Sequence, residues 1–396
     1  MTSIEASNLP LAFPAIGIDD RFSGITPGKG QIAVRCLSRA MDGMQKQALV
    51  WDSLSKTVWS LACDEGPYLN GTDLAPFPLA HFNTGLAFSL YCEIEALAAA
   101  RGVQLGEFTL TLDTLYSMEG SALKGTMTGG ALSPVVDISA KTDQDRPALM
   151  DLVVAAIAGS PAFALMRDVF TSEFTLKHNG KALPLNRVKA VDGDSLARPG
   201  DSFDHIQRDM TVTAAEDIIT KLDSAQSVFG VEGGAGSSLQ SEQKRQLHIR
   251  GIAHRRADGL LENKVQLFKP IGSVFRFLGD SAPGLGGTGR APSGLAYLSA
   301  GLAFCYMTQI GRFAHIMKQN LDHYSLVQDT AFSLPGASSG SMTPASAETV
   351  RTHVHIDSSE PDDAIQNLVD MGEQTCFLHA ACRTALKAKI RINEPA

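Results

Sequence analysis

Cys305 and Cys376 are the residues of this chain best suited to do chemistry. A thiolate is a nucleophile, and two thiols within reach can exchange with a disulfide, so such a pair supports redox cycling or nucleophilic attack. What singles them out is a comparison of the chain with itself. At a shift of 216 residues Cys305 falls on Ser89 and Cys376 on Ser160, so the first half lacks both thiols. Exchange of Cys for Ser keeps the volume but removes the readily formed thiolate, and a packing role gives no reason for both positions to differ in step. Paired work does; independent drift of two small buried residues is the plain alternative. On a helix, Cys305 shares a face with Thr308, Gln309 and Arg312, and a cation there favours the thiolate. Arg255, matched by Arg39, is a second candidate cation, although the repeated Arg-x-x-Asp-Gly also reads as hairpin chemistry. His379 lies one helical turn from Cys376 and becomes Phe163 in the first half, so it could tune the thiol or act as a base, or sit on a helix surface. Cys36, Cys63, Cys92 and Cys382 read as buried filler.

The elements that position these residues are themselves repeated. Gly85-Leu86-Ala87-Phe88-Ser89 returns as Gly301-Leu302-Ala303-Phe304-Cys305, and Asp64, Pro67, Leu69, Gly71 and Thr72 return as Asp280, Pro283, Leu285, Gly287 and Thr288. Between 58 and 89, 14 of 32 positions are identical to their counterparts, against roughly 1 in 17 by chance for average composition. Alternation and turn residues predict strands at Gln31 to Leu37, Gln47 to Asp52 and Thr57 to Ala62, repeated near Gln246 to Ala253 and Val265 to Phe277. A Gly/Pro-rich loop leads to a long apolar helix, Leu79 to Arg101 and again Leu295 to Asn320. Two strands follow (Phe108 to Tyr116 and Gly125 to Ile138; Ser325 to Leu334 and Ser346 to Ile356), then a helix (Arg146 to Arg167; Glu360 to Leu386) and a last strand. Strand runs split by one long buried helix make an α+β fold. The expected division is 1–177 as the first repeat, 178–244 as a connector with one helix at Ala214 to Ala225 and a Gly233 to Ser238 tract, and 245–396 as the second repeat.

Composition narrows the function classes. The chain has 396 residues, 44% hydrophobic, with 34 basic and 42 acidic side chains and a net charge of -8. It is long enough for substantial cores, and its acidity with no long Lys/Arg run argues against nucleic acid as a partner. No basic-then-apolar leader opens the chain, and no apolar stretch approaches the roughly 18 to 20 residues of a spanning helix, so a soluble, cytoplasmic protein without a membrane partner is expected. Six cysteines without a CxxC knuckle make neither a disulfide scaffold nor a zinc site. His353 and His355 share a strand face, but no carboxylate or cysteine stands at ligand spacing, and no metal or cofactor is expected. Gly284 to Arg290 resembles a phosphate nest without the flanking elements of a nucleotide signature, and reads as a loop bordering a pocket. There is no Gly-x-Ser-x-Gly elbow for serine hydrolysis.

A Pro-initiated Leu/Ala helix carrying a cysteine (Ala291-Pro292 to Cys305), followed some seventy residues later by Cys376-Phe377-Leu378-His379, resembles the OsmC/Ohr superfamily of osmotically inducible and organic hydroperoxide resistance proteins. The first half matches through Ala75-Pro76 to Ser89 and Ser160-Pro161-Ala162-Phe163. The resemblance implies two units that intertwine around long central helices, here fused as an intramolecular pseudo-dimer of antiparallel sheets. It also implies Cys305 as the peroxidatic thiol, Cys376 as the resolving thiol and an arginine that activates the first. The family's Asn-Pro-Glu-Gln-type helix start is Ala291-Pro292-Ser293-Gly294 here, without its glutamate. The leading expectation is a thiol-dependent reductase of organic hydroperoxides, acting on a small apolar substrate lined by Leu302, Phe304, Tyr306 and Phe313 and reset by an external dithiol. A cysteine-dependent hydrolase of esters or C–C bonds with His379 as acid/base, and a pocket that only binds, are the alternatives; a homodimer of the fused chain stays open.

Overall fold

The protein is described by a computed structural model at residues 3–17, 22, 25–215, 217–224 and 243–393. The expected Gly233 to Ser238 tract lies outside these residues. Two sheets, both dominated by antiparallel pairs, pack against the long central helices Pro78–Ala100 and Gly294–Met317, and the architecture is α+β.

The helices are apolar nearly all round, which fits a helix surrounded by protein. The first starts with Pro78, whose missing N–H is no loss at that position; the second is capped by Ser293, whose hydroxyl accepts the Ala296 N–H at 3.2 Å. Their backbones approach closely at matching glycines. A Cβ on Gly85 would lie 2.5 Å from the Leu298 nitrogen, and one on Gly301 would lie 2.6 Å from the Phe82 nitrogen. Phe82 and Leu298 are themselves related by the 216 shift, so the crossing is two-fold in pattern.

Each sheet mixes the two halves. In the ten-stranded sheet the meander Gln31–Ala40, Lys46–Asp52 and Val58–Cys63 pairs through Gln31–Ala40 with His323–Ser333, followed by Arg351–Asp357 and then Glu173–His178, which runs parallel to it. In the seven-stranded sheet Gln243–Arg255, Leu261–Lys269 and Val274–Gly279 form the meander, Leu105–Gly120 and Thr128–Thr142 the hairpin, and Lys389–Asn393 the parallel last strand. Thus each half lends its hairpin to the other half's meander. Val58–Cys63 and Val274–Gly279, and likewise Arg146–Gly159 and Asp362–Thr375, recur at the 216 shift residue for residue.

Three expected elements differ. The long helices after the hairpins are each broken in two, at Ser160 and at Cys376. Pro161 accounts for the first break, because proline drives the preceding residue out of the helical region. The stretch from Val265 to Phe277 is two strands, turned at Pro270-Ile271-Gly272. In place of a helix from Ala214 to Ala225, Ile219–Asp223 is a strand on the open edge of Val274–Gly279, where pairing supplies its backbone partners; Ala225 is outside the described residues. Among the described residues no single helix is long and apolar enough to cross a membrane.

Candidate active site

The break at Cys376 aims the short helix Phe377–Cys382 at the second central helix, and this brings the two thiols together. Cys376 Sγ lies 3.4 Å from Cys305 Sγ, and both residues are buried. The first turn of the short helix supplies amides to both sulfurs, Leu378 N–H toward Cys305 and His379 N–H toward Cys376. Two thiols this close cannot both ionise easily, so the protons leave in two steps that belong to the pair. Burial works against ionisation at both sulfurs. At Cys376 the neighbouring Cys305 thiol, the charge of His379 and the amide outweigh it, and the thiol is held well below the usual range. At Cys305 burial and the neighbouring sulfur push the thiol up. One thiolate shared within the pair is therefore the accessible ionised form.

His379 is buried rather than on a surface, with its ring 5.2 Å from Tyr306 and 5.4 Å from Phe174. Its ring nitrogens make no bond of strict geometry, yet its charge and a side-chain hydrogen bond from its ring both lower the Cys376 thiol. Tyr306 thus borders the site, whereas Phe304 turns to the other central helix, 5.3 Å from the His81 ring.

The two candidate arginines separate. Arg255 is not the cation of Cys305. It ends its strand beside the first central helix, with Nε 2.8 Å from Glu95 Oε1 and Nη1 2.6 Å from the Gly259 carbonyl oxygen. The repeated Arg-x-x-Asp-Gly is hairpin chemistry: the chain folds back there, and Arg255 N–H donates to Tyr91 Oη at 3.2 Å. Arg312 lies two turns beyond Cys305 on the same helix. It is buried, with Nη1 3.3 Å from Met118 Sδ, and burial followed by the charge of Arg245 pushes its pKa down to about 9. It remains a cation at neutral pH.

Sequence reasoning missed a buried carboxylate from the other half. Glu65 follows the first meander and accepts a hydrogen bond from Thr308 Oγ1 at 2.9 Å, across 243 residues of sequence, and another from Tyr68 Oη at 3.1 Å. Thr308 is one turn beyond Cys305, so this contact ties the thiol helix to the opposite half. Burial pushes the Glu65 carboxyl up, and the buried Lys46 ammonium opposes that rise. The helix start at Pro292 carries no glutamate, and the carboxylate on this helix comes instead from the first half of the chain. The self-comparison held the signal: within a loop that keeps Asp64/Asp280 and Pro67/Pro283, Glu65 falls on Ser281.

Other motifs resolve structurally. The amides of Thr288 and Arg290 are taken by the Asp280 carboxylate at 3.1 and 3.0 Å, so the glycine-rich loop folds on its own aspartate. His353 and His355 are buried on Arg351–Asp357, His353 Nδ1 lying 2.9 Å from Thr175 Oγ1, and no group of three or more metal-ligating side chains occurs among the described residues.

Residues 287–391, which include both thiols, match the family model of OsmC-like protein, and this segment is an OsmC-like domain. Among solved structures, an OsmC-like hydroperoxide resistance protein from Jannaschia sp. CCS1 is similar at 26% identity over 30% of this chain and 75% of that chain, with a TM-score of 0.21. No curated protein matches the chain.

Proposed function

We propose that the chain is a thiol-dependent reductase of organic hydroperoxides working through Cys305 and Cys376. The observation that carries this reading is the 3.4 Å contact of two buried sulfurs in an OsmC-like domain. Roughly 1.4 Å of closure brings them to the disulfide length of about 2.05 Å. The pair's thiolate attacks the distal peroxide oxygen; the O–O bond breaks, and the alkoxide leaves and takes a proton as the alcohol. The sulfenic acid so formed is attacked by the second thiol, water leaves, and a Cys305–Cys376 disulfide results. An external dithiol reduces that bond and becomes a disulfide itself. Resemblance assigns attack to Cys305 and resolution to Cys376, and the amides of Leu378 and His379 stabilise negative charge at either sulfur. Tyr306, with its ring 5.2 Å from His379, and Phe377, next to Cys376, put apolar surface beside the pair, which suits an organic peroxide.

His379 beside Cys376 supports a second reading, a cysteine hydrolase in which the imidazole takes the thiol proton. Consumption of cumene hydroperoxide in the presence of dihydrolipoamide separates the two. The peroxidase reading expects dithiol-dependent turnover that is lost in both Cys305→Ser and Cys376→Ser. Ester cleavage that survives removal of one thiol, without peroxide turnover, would replace it with the hydrolase.

A further inference from the structure

On the opposite side of the central helices the equivalent face opens onto a cavity. At the 216 shift Glu65 becomes Ser281, Tyr68 becomes Gly284 and Phe377 becomes Pro161, so three bulky groups that close the thiol side are small here. The consequence is visible in exposure. Cys305 and Thr308 are each 2% exposed, while their counterparts Ser89 and Cys92 are only half-buried and line the cavity. Phe88, Leu285 and Pro161 form much of its apolar wall.

Size and charge restrict the occupant. The cavity measures about 70 Å³. A water needs roughly 10–15 Å³ on that measure and about 30 Å³ of liquid, so the space suits some five to seven waters or one ring-sized molecule. Two carboxylates border it. Asp52 already accepts Leu54 N–H at 3.0 Å and Ser293 Oγ at 3.1 Å, and Asp280 accepts the Thr288 hydroxyl at 2.6 Å. Among the described residues no lysine or arginine lines the space. An anion would meet like charge and lose its hydration, whereas a single hydroxyl can donate to Ser281 Oγ, which already contacts Cys92 Sγ at 3.3 Å, or to Ser338 Oγ, whose own proton goes to Glu93.

We infer that this serine side is a binding site for a neutral molecule with a ring-sized apolar body and one hydroxyl, of the benzyl alcohol class, which is held and not consumed. The Ser89–Ser160 contact at 2.8 Å replaces the thiol pair, so the redox step has no sulfurs there. This site stands apart from the peroxide reading and does not depend on it.

Cys92 provides the probe, because the other five cysteines are buried. Benzyl alcohol titrated into the full-length protein should slow alkylation of Cys92 by iodoacetamide, followed by mass spectrometry, in a saturable way. The slowing reaches about tenfold at ten times the dissociation constant. Benzoate should give none, and the Cys305→Ser/Cys376→Ser double variant should protect Cys92 as the parent does. By ligand-observed NMR, Cys92→Phe should weaken binding at least about tenfold. Protection that does not saturate, equal protection by benzoate, or unchanged binding in a folded Cys92→Phe protein would overturn the inference; if that variant does not fold, the alkylation series decides.

Discussion

On one side of the central helix pair two sulfurs meet at 3.4 Å, and on the other two hydroxyls meet at 2.8 Å. The scaffolds holding them are alike in detail. Asp64 receives Thr72 Oγ1 at 2.6 Å, and Asp280 receives Thr288 Oγ1 at the same distance. What differs is concentrated around the pair. The thiol side buries Lys46, Glu65, Arg245 and Arg312; their counterparts are Glu262, Ser281, Lys29 and Ala96. Buried charge is expensive unless paired, and the chain retains this cluster on one side alone, beside the groups that can ionise. The cluster therefore marks where the two sides differ most in buried charge, although Glu262 is buried on the serine side as well.

The sharpest contrast is in turnover. Cys305→Ser or Cys376→Ser should lower dithiol-dependent consumption of hydroperoxide by ~10³-fold or more, while Ser89→Ala and Ser160→Ala change it by less than about twofold. A comparable loss from the serine variants would break the comparison.

The central helices differ at one more matched position, where His81 faces Tyr297 in the self-comparison. Burial pushes the His81 pKa down to about 4, so the folded state holds it neutral while the unfolded chain binds a proton below about 6.5. Its contribution is complete above pH 6.5 and is lost as pH falls toward 4, by ~3 kcal/mol at 1.36 kcal/mol per unit. Urea unfolding across this window should show a smaller acid loss in His81→Phe than in the parent; an identical slope would remove His81 as a source of the acid sensitivity.

The helix crossing should respond evenly. Gly85→Val and Gly301→Val each force a side chain against backbone of the other helix and should each cost about 2–3 kcal/mol in chemical denaturation. A large difference between them would show that the two-fold pattern is only approximate in energy.

The smallest effect expected is at Glu65. Glu65→Gln leaves the shape but removes the charge opposite Lys46, and should change the rate of thiol oxidation by about tenfold. Ser281→Ala, its counterpart, should leave that rate unchanged. Because the pair holds one thiolate, with Cys376 below and Cys305 above the usual thiol range, oxidation of the parent by peroxide should persist as pH falls below 9, whereas Cys376→Ser, left with the raised Cys305 thiol, should need a higher pH. A rate that follows an ordinary thiol would contradict the electrostatics of the site.

Much of this was legible in the sequence, for identifiable reasons. The central helices and meanders follow from uninterrupted apolar runs and turn residues, and the thiol pair from the 216 shift. The illegible part is what crosses between halves. Glu65 reaches Thr308 only because the two halves intertwine, and no local pattern records a contact over 243 residues. Arg255 and Arg312 looked equivalent because helix and strand periodicity give a face but not what the face meets; Arg255 meets Glu95, and Arg312 is buried beside Arg245. Ile219–Asp223 is a strand because an edge awaits it, which composition does not disclose.

The most direct test of the central claim is peptide mapping by mass spectrometry after one equivalent of cumene hydroperoxide, in the parent and in Cys376→Ser. A Cys305–Cys376 disulfide is predicted in the parent and a trapped sulfenic acid at Cys305 in the variant, with Ser89 and Ser160 peptides unchanged. Recovery of both thiols unreacted in the parent, under conditions where hydroperoxide is available to the folded protein, would contradict it.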